Sequence, residues 1–525
     1  MRTVFVVFDS LNAAALAPYG AKEVHTPNFA RLAERAVTFD SHFVGSLPCM
    51  PARRDLHTGR LNFMHRSWGP LEPFDNSLPR LLSAEGVYSH IVTDHMHYFE
   101  EGGNGYVQAF DTWEFVRGQE NDPWRAEVEP PLERYRSDFD QAHYDIPAAL
   151  PATRGKMSRW EWKKLCHAVN REAIRDEKDY PTVKCFDHAL DFLARNRGAG
   201  DWFLQVEAFD PHEPFLAPER FKAMYPTDWS GGILDWPRYE KADGDAAARA
   251  EIRSNYAALV SMCDDQLGRL LDTFDAHDLW RDTCLIVTTD HGFLLSEHEW
   301  WGKNRMPYFT EISRIPLMIW HPDSGQAGGS RCDALTQTPD LMPTILDLHN
   351  VSVPSGVLAQ SLLPVLQAVN SPRESVIFGQ FGGPVAVTDG RYLLFRYPQN
   401  VSTEGLNEYT LMPIHMSSAF TPDELGLATL APPFGFTNGL QVLRIPSRPE
   451  AVRPPGLHDA FDVGIRTELF DLEYDPDQTR ALDDPEVEAR LLASACRHLL
   501  AHETPGEVYA HYGLNTYRET VEERT

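Results

Sequence analysis

The chain opens on a near-continuous apolar run, TVFVVFDS (residues 3–10), that ends in a carboxylate, Asp9. Runs rich in β-branched and aromatic residues are strands buried on both faces, as in a parallel sheet. TPNFARLAERAVTF (26–39) changes the period: Phe29, Leu32, Ala33 and Ala36 fall on one helical face, behind Thr26 as cap and Pro27 at the first helical position. SLPRLLSAEGVYSHIVTDH (77–95) repeats helix-then-strand and ends near Asp94. DWFLQVEAFDPHEPF (201–215) predicts a strand running into a polar loop at Asp210 and His212, and residues 252–280 a long amphipathic helix. TCLIVTTDHG (283–292) predicts a buried strand ending at Asp290. Alternating strands and helices predict an α/β fold with a large, mostly parallel sheet sandwiched by helices. In such sheets ligands bind at the carboxyl ends of strands. Asp9, Asp94–His97, Asp210–His212 and Asp290–His291 all sit at predicted strand ends, so four distant segments are expected to converge on one site.

After TPDLMPTILDLHNVSVP (338–354) the pattern changes. ESVIFGQF, VAVTDGRYLLFRYP and TELFDLEYDPDQTRAL read as antiparallel strands, and Asp389-Gly390 between apolar runs is a hairpin signal. The expected organisation is a catalytic α/β domain over 1–364, with an insertion at about 113–180, and a C-terminal α+β subdomain over 365–525. Residues 117–147 are long, polar and proline-rich, and are expected to form an ordered insertion near the mouth of the site.

A net charge of −28 argues against nucleic acid and anionic membranes as partners, although a local basic pocket can still take a small anion. The N-terminal apolar run is too short for a signal peptide and no later run could span a bilayer, so a cytoplasmic location is expected. The seven cysteines, at 49, 166, 185, 263, 284, 332 and 496, form no CxxC or Cys/His cluster. Neither a disulfide framework nor a structural zinc site is indicated, and six of the seven read as small buried hydrophobes.

The seventh stands in SLPCMPARRDLHTGR (46–60). Pro51 suits a first helical turn and Gly59 a helix end, which puts Cys49 at a helix N-terminus, where backbone N–H groups attract anions, with Arg53 one turn on. Cys-x-Pro-x-Arg followed by Thr-Gly resembles the signature of the type I, formylglycine-dependent sulfatases of the alkaline phosphatase superfamily. TPNFARLAERAVTF, TTDHGFLLSEHEWWGK, TPDLMPTILDL and TELFDLEYDPDQTRAL resemble further ordered motifs of that family, so the likeness covers most of the chain.

The resemblance implies that a maturation enzyme converts Cys49 to formylglycine, whose hydrated aldehyde is the nucleophile. It implies a divalent metal beside residue 49, held by Asp9, Asp290 and His291. Ca²⁺ suits the oxygen-rich set best, with Mn²⁺ or Mg²⁺ as alternatives. Arg53 completes the nucleophile's surroundings, Lys303 holds a sulfate oxygen and the leaving-group side, and His212 is the general acid. The chain also departs from the pattern. Ser10 stands where many members have a second aspartate and could offer only a weaker oxygen or a backbone contact. TDHMHYFEEGG (93–103) stands where many carry Gly-Lys-Trp-His-Leu-Gly, so His95 is expected to replace the lysine as a substrate ligand and His97 to match the histidine, both on one face of a strand end.

The expected activity is hydrolysis of a sulfate ester, of a carbohydrate, other oligosaccharide or another small organic molecule. The rivals are a phosphonate monoester or phosphodiester hydrolase and a non-catalytic binder of sulfated glycans. The latter predicts a lost nucleophile or ligand, and Cys49, Arg53, Asp9, Asp290, His291 and Lys303 are all present. In the insertion, Arg117, Gln119 and Glu120 are candidates for the leaving-group pocket, with Arg117 foremost, and Trp68, Trp300 and Trp301 for stacking on a ring. Sequence leaves the oligomeric state open.

Overall fold

The computed structural model describes residues 1–525 apart from 101–102, 104, 152–156, 243, 304–305, 369–372, 400–404, 416–417, 449–466 and 524–525. The first apolar run forms β1 (Arg2–Phe8), the centre of an eight-stranded sheet. In chain order its other strands are β2 (Val37–Phe39), β4 (Tyr88–Thr93), β5 (Thr112–Phe115), β6 (Trp202–Ala208), β7 (Thr283–Thr289), β10 (Leu317–Trp320) and β11 (Arg331–Cys332). Small pairs separate them: β3 (His42–Phe43) lies beside β12 (Thr336–Gln337), and β8 (Leu294–Leu295) beside β9 (Trp301–Gly302). The large sheet runs β11-β2-β10-β7-β1-β6-β4-β5, and only β10 is antiparallel to its neighbours. β1 pairs with both β6 and β7, Phe8 standing opposite Ala208 and Thr289. Asp9, Phe209 and Asp290 therefore leave the sheet side by side. The register alone gathers the site.

Helices cover both faces, as all-apolar strands require. The helices are α1 (Pro27–Ala33), α2 (Cys49–Thr58), α3 (Leu78–Ala84), α4 (Leu132–Asp138), α5 (Arg159–Arg171), α6 (Pro181–Arg195), α7 (Glu219–Lys222) and α8 (Ala246–Ala276), followed by a further series. On one face α1, α6 and the 31-residue α8 bury Phe29, Phe186, Leu259 and Leu267 against Val4, Val6 and Phe8. On the other, α2, α3 and helix Leu341–Leu348 bury Met50, Leu82 and Ile345 against Phe5 and Val7. Thr26 stands at the start of α1 but does not cap it with its side chain: the hydroxyl accepts from the Ala17 N–H and not from the helix.

Past the sheet, β13 (Val376–Gly379), β14 (Val385–Thr388), β15 (Tyr392–Arg396) and β19 (Thr467–Asp471) form an antiparallel sheet, with the expected hairpin turn at Asp389-Gly390. Helix Pro485–Ala501 packs on it through Leu491, Leu492 and Leu499, beside Leu61, Phe63 and Met64 from the segment after α2. A three-stranded sheet, β16 (Asn407–Thr410), β18 (Val442–Pro446) and β17 (Thr429–Ala431), lies beyond. Among the described residues no helix is long and apolar enough to cross a membrane.

Candidate active site

Cys49 is the first residue of α2, whose ten residues are all buried and whose end is set by Gly59 in the left-handed conformation (φ 63°). The loop before it is pinned from inside the helix. Asp55 accepts from the Ser46 N–H (2.5 Å), the Ser46 hydroxyl (2.9 Å) and the Asn62 amide (2.6 Å), and burial pushes its carboxyl up to about 8 despite these donors. The thiol points at the strand ends. Cys49 Sγ lies 3.3 Å from His291 Nε2, and one ligand atom each from Asp9, Cys49, Asp290 and His291 fall within 4.8 Å of one another. Gly292 is required here: a Cβ would meet the Glu311 carbonyl at 1.9 Å, so Asp-His-Gly lets the chain pass close beneath the site.

These four residues fit a hard or borderline divalent cation. The His291 Nδ1–H donates to the Gly292 carbonyl (3.0 Å), which leaves the Nε2 lone pair facing Cys49 and Asp290. Burial, with Lys303 nearby, lowers the His291 pKa and keeps the ring neutral, as a ligand must be. Asp290 Oδ1 is oriented by the N–H groups of Ser10 (3.1 Å) and His291 (2.8 Å). Ser10 joins the site with its hydroxyl donated to Asp9 Oδ1 at 2.8 Å.

Arg53 lies beneath this group, completely buried. Its guanidinium donates to Glu207 Oε1 (2.5 Å), Asp290 Oδ2 (2.5 Å) and Asp9 Oδ2 (2.8 Å), and also to the Cys49 carbonyl (3.0 Å). Burial works against ionising Asp9, but Arg53, His212 and Lys303 outweigh it and hold the carboxyl well below the usual range. Arg53 thus ties three carboxylates together under the site and does not line the cavity above it. Glu207, the one charged residue of the fully buried β6, was missed in the sequence; a charge in such a strand was the available signal.

The cavity over Cys49 has a volume of about 310 Å³. Its floor carries Cys49, His212 and Lys303, which follows β9. Lys303 Nζ stands 4.0 Å from both Asp9 and Glu213; burial opposes its charge, and these carboxylates with Asp290 help to restore it, while burial keeps the nearby Cys49 a thiol. The His212 Nδ1–H donates to the Glu213 carbonyl, leaving Nε2 toward the cavity, and burial lowers its pKa against the pull of Glu213. Trp68 and Tyr239 supply aromatic wall, Glu120, Arg159, Trp160 and Lys163 come from the insertion, and Gln380 and Phe381 from the C-terminal part. Trp300 and Trp301 are buried in the core away from it.

Two expectations fail at the second loop. β4 ends at Thr93 and residues Met96–Phe99 form a 3-10 turn, so His95 and His97 do not share a strand face. His95 is fully buried with Nε2 3.3 Å from Asp9 Oδ2, and it supports that carboxylate without reaching the cavity. Burial and Arg53 push its pKa well down. His97 does line the cavity, between Glu100 (Nδ1, 2.9 Å) and Glu120 (Nε2, 3.2 Å). Burial opposes its charge, yet the two carboxylates raise its pKa above the usual histidine value. The third difference is Arg117, which forms a fork on Asp122 (2.7 and 2.8 Å) and lines a separate surface cavity beside Trp113. Its neighbour Glu120 takes the wall position, bound to Lys163 at 2.5 Å.

The raised pKa of His97 has a defined sign. Stability from this pairing is complete below the ring's unfolded value and is lost as pH rises through the folded one. Glu120→Gln removes one partner, so the His97 ring is expected to titrate at lower pH, read from its imidazole NMR resonances. An unmoved titration would mean that Glu100 alone sets the charge.

The comparisons decide the family. The profile of the family described as Sulfatase matches residues 2–351. The chain belongs to the sulfatase family. Its relatives include a multifunctional alkaline phosphatase superfamily protein of Trinickia caryophylli, 28% identical over 65% of this chain and 71% of that one. An arylsulfatase of Clostridium perfringens is 22% identical over 72% and 80%. A protein solved in complex with its substrate D-glucosamine-2-N,6-O-disulfate superposes with TM-score 0.64 at 16% identity, over 96% of this chain and 99% of that one. The phosphonate monoester hydrolase of Agrobacterium radiobacter gives 0.62 at 17%, over 96% and 95%. As a sulfatase the protein is a hydrolase of sulfuric ester bonds, with the alkaline phosphatase-like fold; the family implies a metal and a formylglycine.

Proposed function

We propose that the protein hydrolyses the sulfate ester of a carbohydrate or other small hydroxylated molecule, using formylglycine made from Cys49 and a divalent cation, Ca²⁺ foremost, held by Asp9, Asp290 and His291. The observation that carries this reading is the meeting of Cys49 Sγ with His291 Nε2 at 3.3 Å inside a four-residue ligand cluster. Once formed, the formylglycine would supply the nucleophile, and the bound cation would neutralise charge on nucleophile and ester.

The chain's own residues do the rest. Lys303, a buried ammonium above Asp9, binds an ester oxygen and stabilises the charge that grows there. Arg53 keeps Asp9 ionised and ties Asp9, Asp290 and Glu207 in place. His212 Nε2, once protonated, gives its proton to the departing oxygen, while Nδ1 stays on the Glu213 carbonyl and fixes the ring. Trp68 and Trp160 offer apolar faces to a sugar or aryl leaving group, and Glu120 with Lys163 offers an acceptor and a donor for its hydroxyls.

Proton donation matters only when the leaving group needs it. His212→Asn is expected to slow a sugar sulfate by about 10²–10⁴-fold and a nitrophenyl sulfate far less. Equal losses on both would assign His212 to binding. The reading as a whole is tested by metal content together with paired rates on a sulfate-ester panel and an aryl phosphonate, using protein matured in a competent host. Faster turnover of the phosphonate would favour the second reading, a phosphonate monoester or phosphodiester hydrolase, which the Trinickia and Agrobacterium likenesses support.

A further inference from the structure

Behind the two histidine loops lies a pair of acids that the reaction does not use. Asp94, after β4, is fully buried, and Asp210, after β6, is 2% exposed. Their Oδ2 atoms share the same two donors. The Gln119 amide nitrogen lies 3.0 Å from Asp94 and 3.1 Å from Asp210, and the Thr182 hydroxyl 3.3 and 2.7 Å. Asp94 Oδ1 also accepts the Phe209 N–H at 2.7 Å, fastening one loop to the other. A hydroxyl has one proton and an amide two, so three protons face two carboxyl oxygens in four contacts.

Among the described residues, the groups that act most strongly on either acid include no cation. The titratable groups facing the pair are the thiols of Cys185 on α6 and Cys263 on α8 and Tyr180 before α6, while the ring of neighbouring His95 turns to Asp9. None brings a positive charge at neutral pH. The N-terminal turn of the 15-residue α6, where Thr182 sits, favours one negative charge there but not two. Two like charges this close cannot both ionise.

We propose that Asp94 and Asp210 hold one proton between them, and that this carboxyl–carboxylate pair, bridged by Gln119 and Thr182, positions the loops that carry His97 and His212. The pair's second ionisation releases that proton to solvent, leaves two anions over a shared pair of donors, and pushes the loops apart. Burial, joined for Asp210 by the neighbouring charge, raises the two carboxyls to about 7 and about 8, so the lock holds at neutral pH and opens above it.

The substitution that separates this from a merely structural role is Asp210→Asn, whose carbonyl can take the place of Oδ2 while the second charge is gone. Two measurements on the matured, metal-loaded protein test it. Infrared spectra of wild type are expected to contain a protonated-carboxyl stretch that persists above pH 7 and fades by about pH 9, whereas in Asp210→Asn only Asp94 remains and the stretch is expected to be half gone at about pH 7. On an aryl sulfate, the alkaline fall in kcat is expected to move up by about one pH unit or more in Asp210→Asn, while Asp210→Ala loses about tenfold at every pH. Should Asp210→Asn fail to fold, Asp94→Asn takes its place: without the neighbouring charge the Asp210 stretch is expected to fade at lower pH than in wild type, and the alkaline fall in kcat to move up. Absence of the wild-type band, or an Asn profile that overlays the wild-type alkaline limb, would overturn the proposal. The infrared measurement uses no substrate, so its failure stays distinct from failure of the sulfatase reading.

Discussion

Cys49→Ala is expected to remove sulfate-ester turnover by about 10⁴-fold or more while the protein stays folded. Loss of a covalent nucleophile costs that much in enzymes that depend on one. The fold should tolerate the change, because the thiol fills little volume and α2 is held by Asp55, Ser46 and Asn62 rather than by residue 49. The measurement is kcat on an aryl sulfate beside a melting curve, with mass spectrometry of the Cys49 peptide confirming conversion in the active parent. A variant that keeps a tenth of the parental rate would sink the assignment of residue 49.

Arg53→Ala should strike stability as well as rate. One guanidinium serves three carboxylates, none of them exposed. Removing one partner of a buried ion pair costs about 3–5 kcal/mol, since the remaining charges stay buried without compensation. The pH dependence follows from Asp9, whose carboxyl is held well below the usual range against the opposition of burial, with Arg53 the foremost of the groups that lower it. A depressed folded pKa gives stability above the unfolded value that is lost as pH falls through the folded one. The deficit of the variant should therefore be full at neutral pH and shrink toward acid, as the stranded carboxylates take up protons. Denaturant unfolding at pH 7 and near pH 4 measures both; an equal deficit at the two would mean that packing, not charge, was lost. Lysine cannot replace the fork, because a single ammonium lacks its planar set of donors.

How much could be read in advance depended on the kind of pattern. The strand ends were legible because a buried strand must be apolar until it stops, and the first polar residue marks where it leaves the sheet: Asp9, Asp94 and Asp290 were found so. Cys49 and Arg53 came from a compact motif, and the structure adds that the arginine faces inward. What local pattern could not carry was the fate of loops. His95 and His97 lie two apart, a spacing that fixes a common face only on a strand, and here the chain turns into a 3-10 turn. Arg117 and Glu120 are three residues apart in one polar stretch; Asp122, two further on, captures the arginine and leaves the wall to the glutamate. Glu213, Tyr239 and Lys163 belong to segments that meet only in the folded chain, so their place in the wall follows from tertiary contacts.

The seat of Cys49 also sets an order of events. Only 2% of the residue remains accessible once α2 is packed, with helix and sheet closing over the turn that presents it. The maturation enzyme of the proposed reading would need access to this segment, and in the finished molecule all ten residues of α2 are buried. Under the proposed conversion of Cys49, the chemical edit and the folding reaction would therefore compete for the same nascent segment, and copies that fold first would keep their thiol.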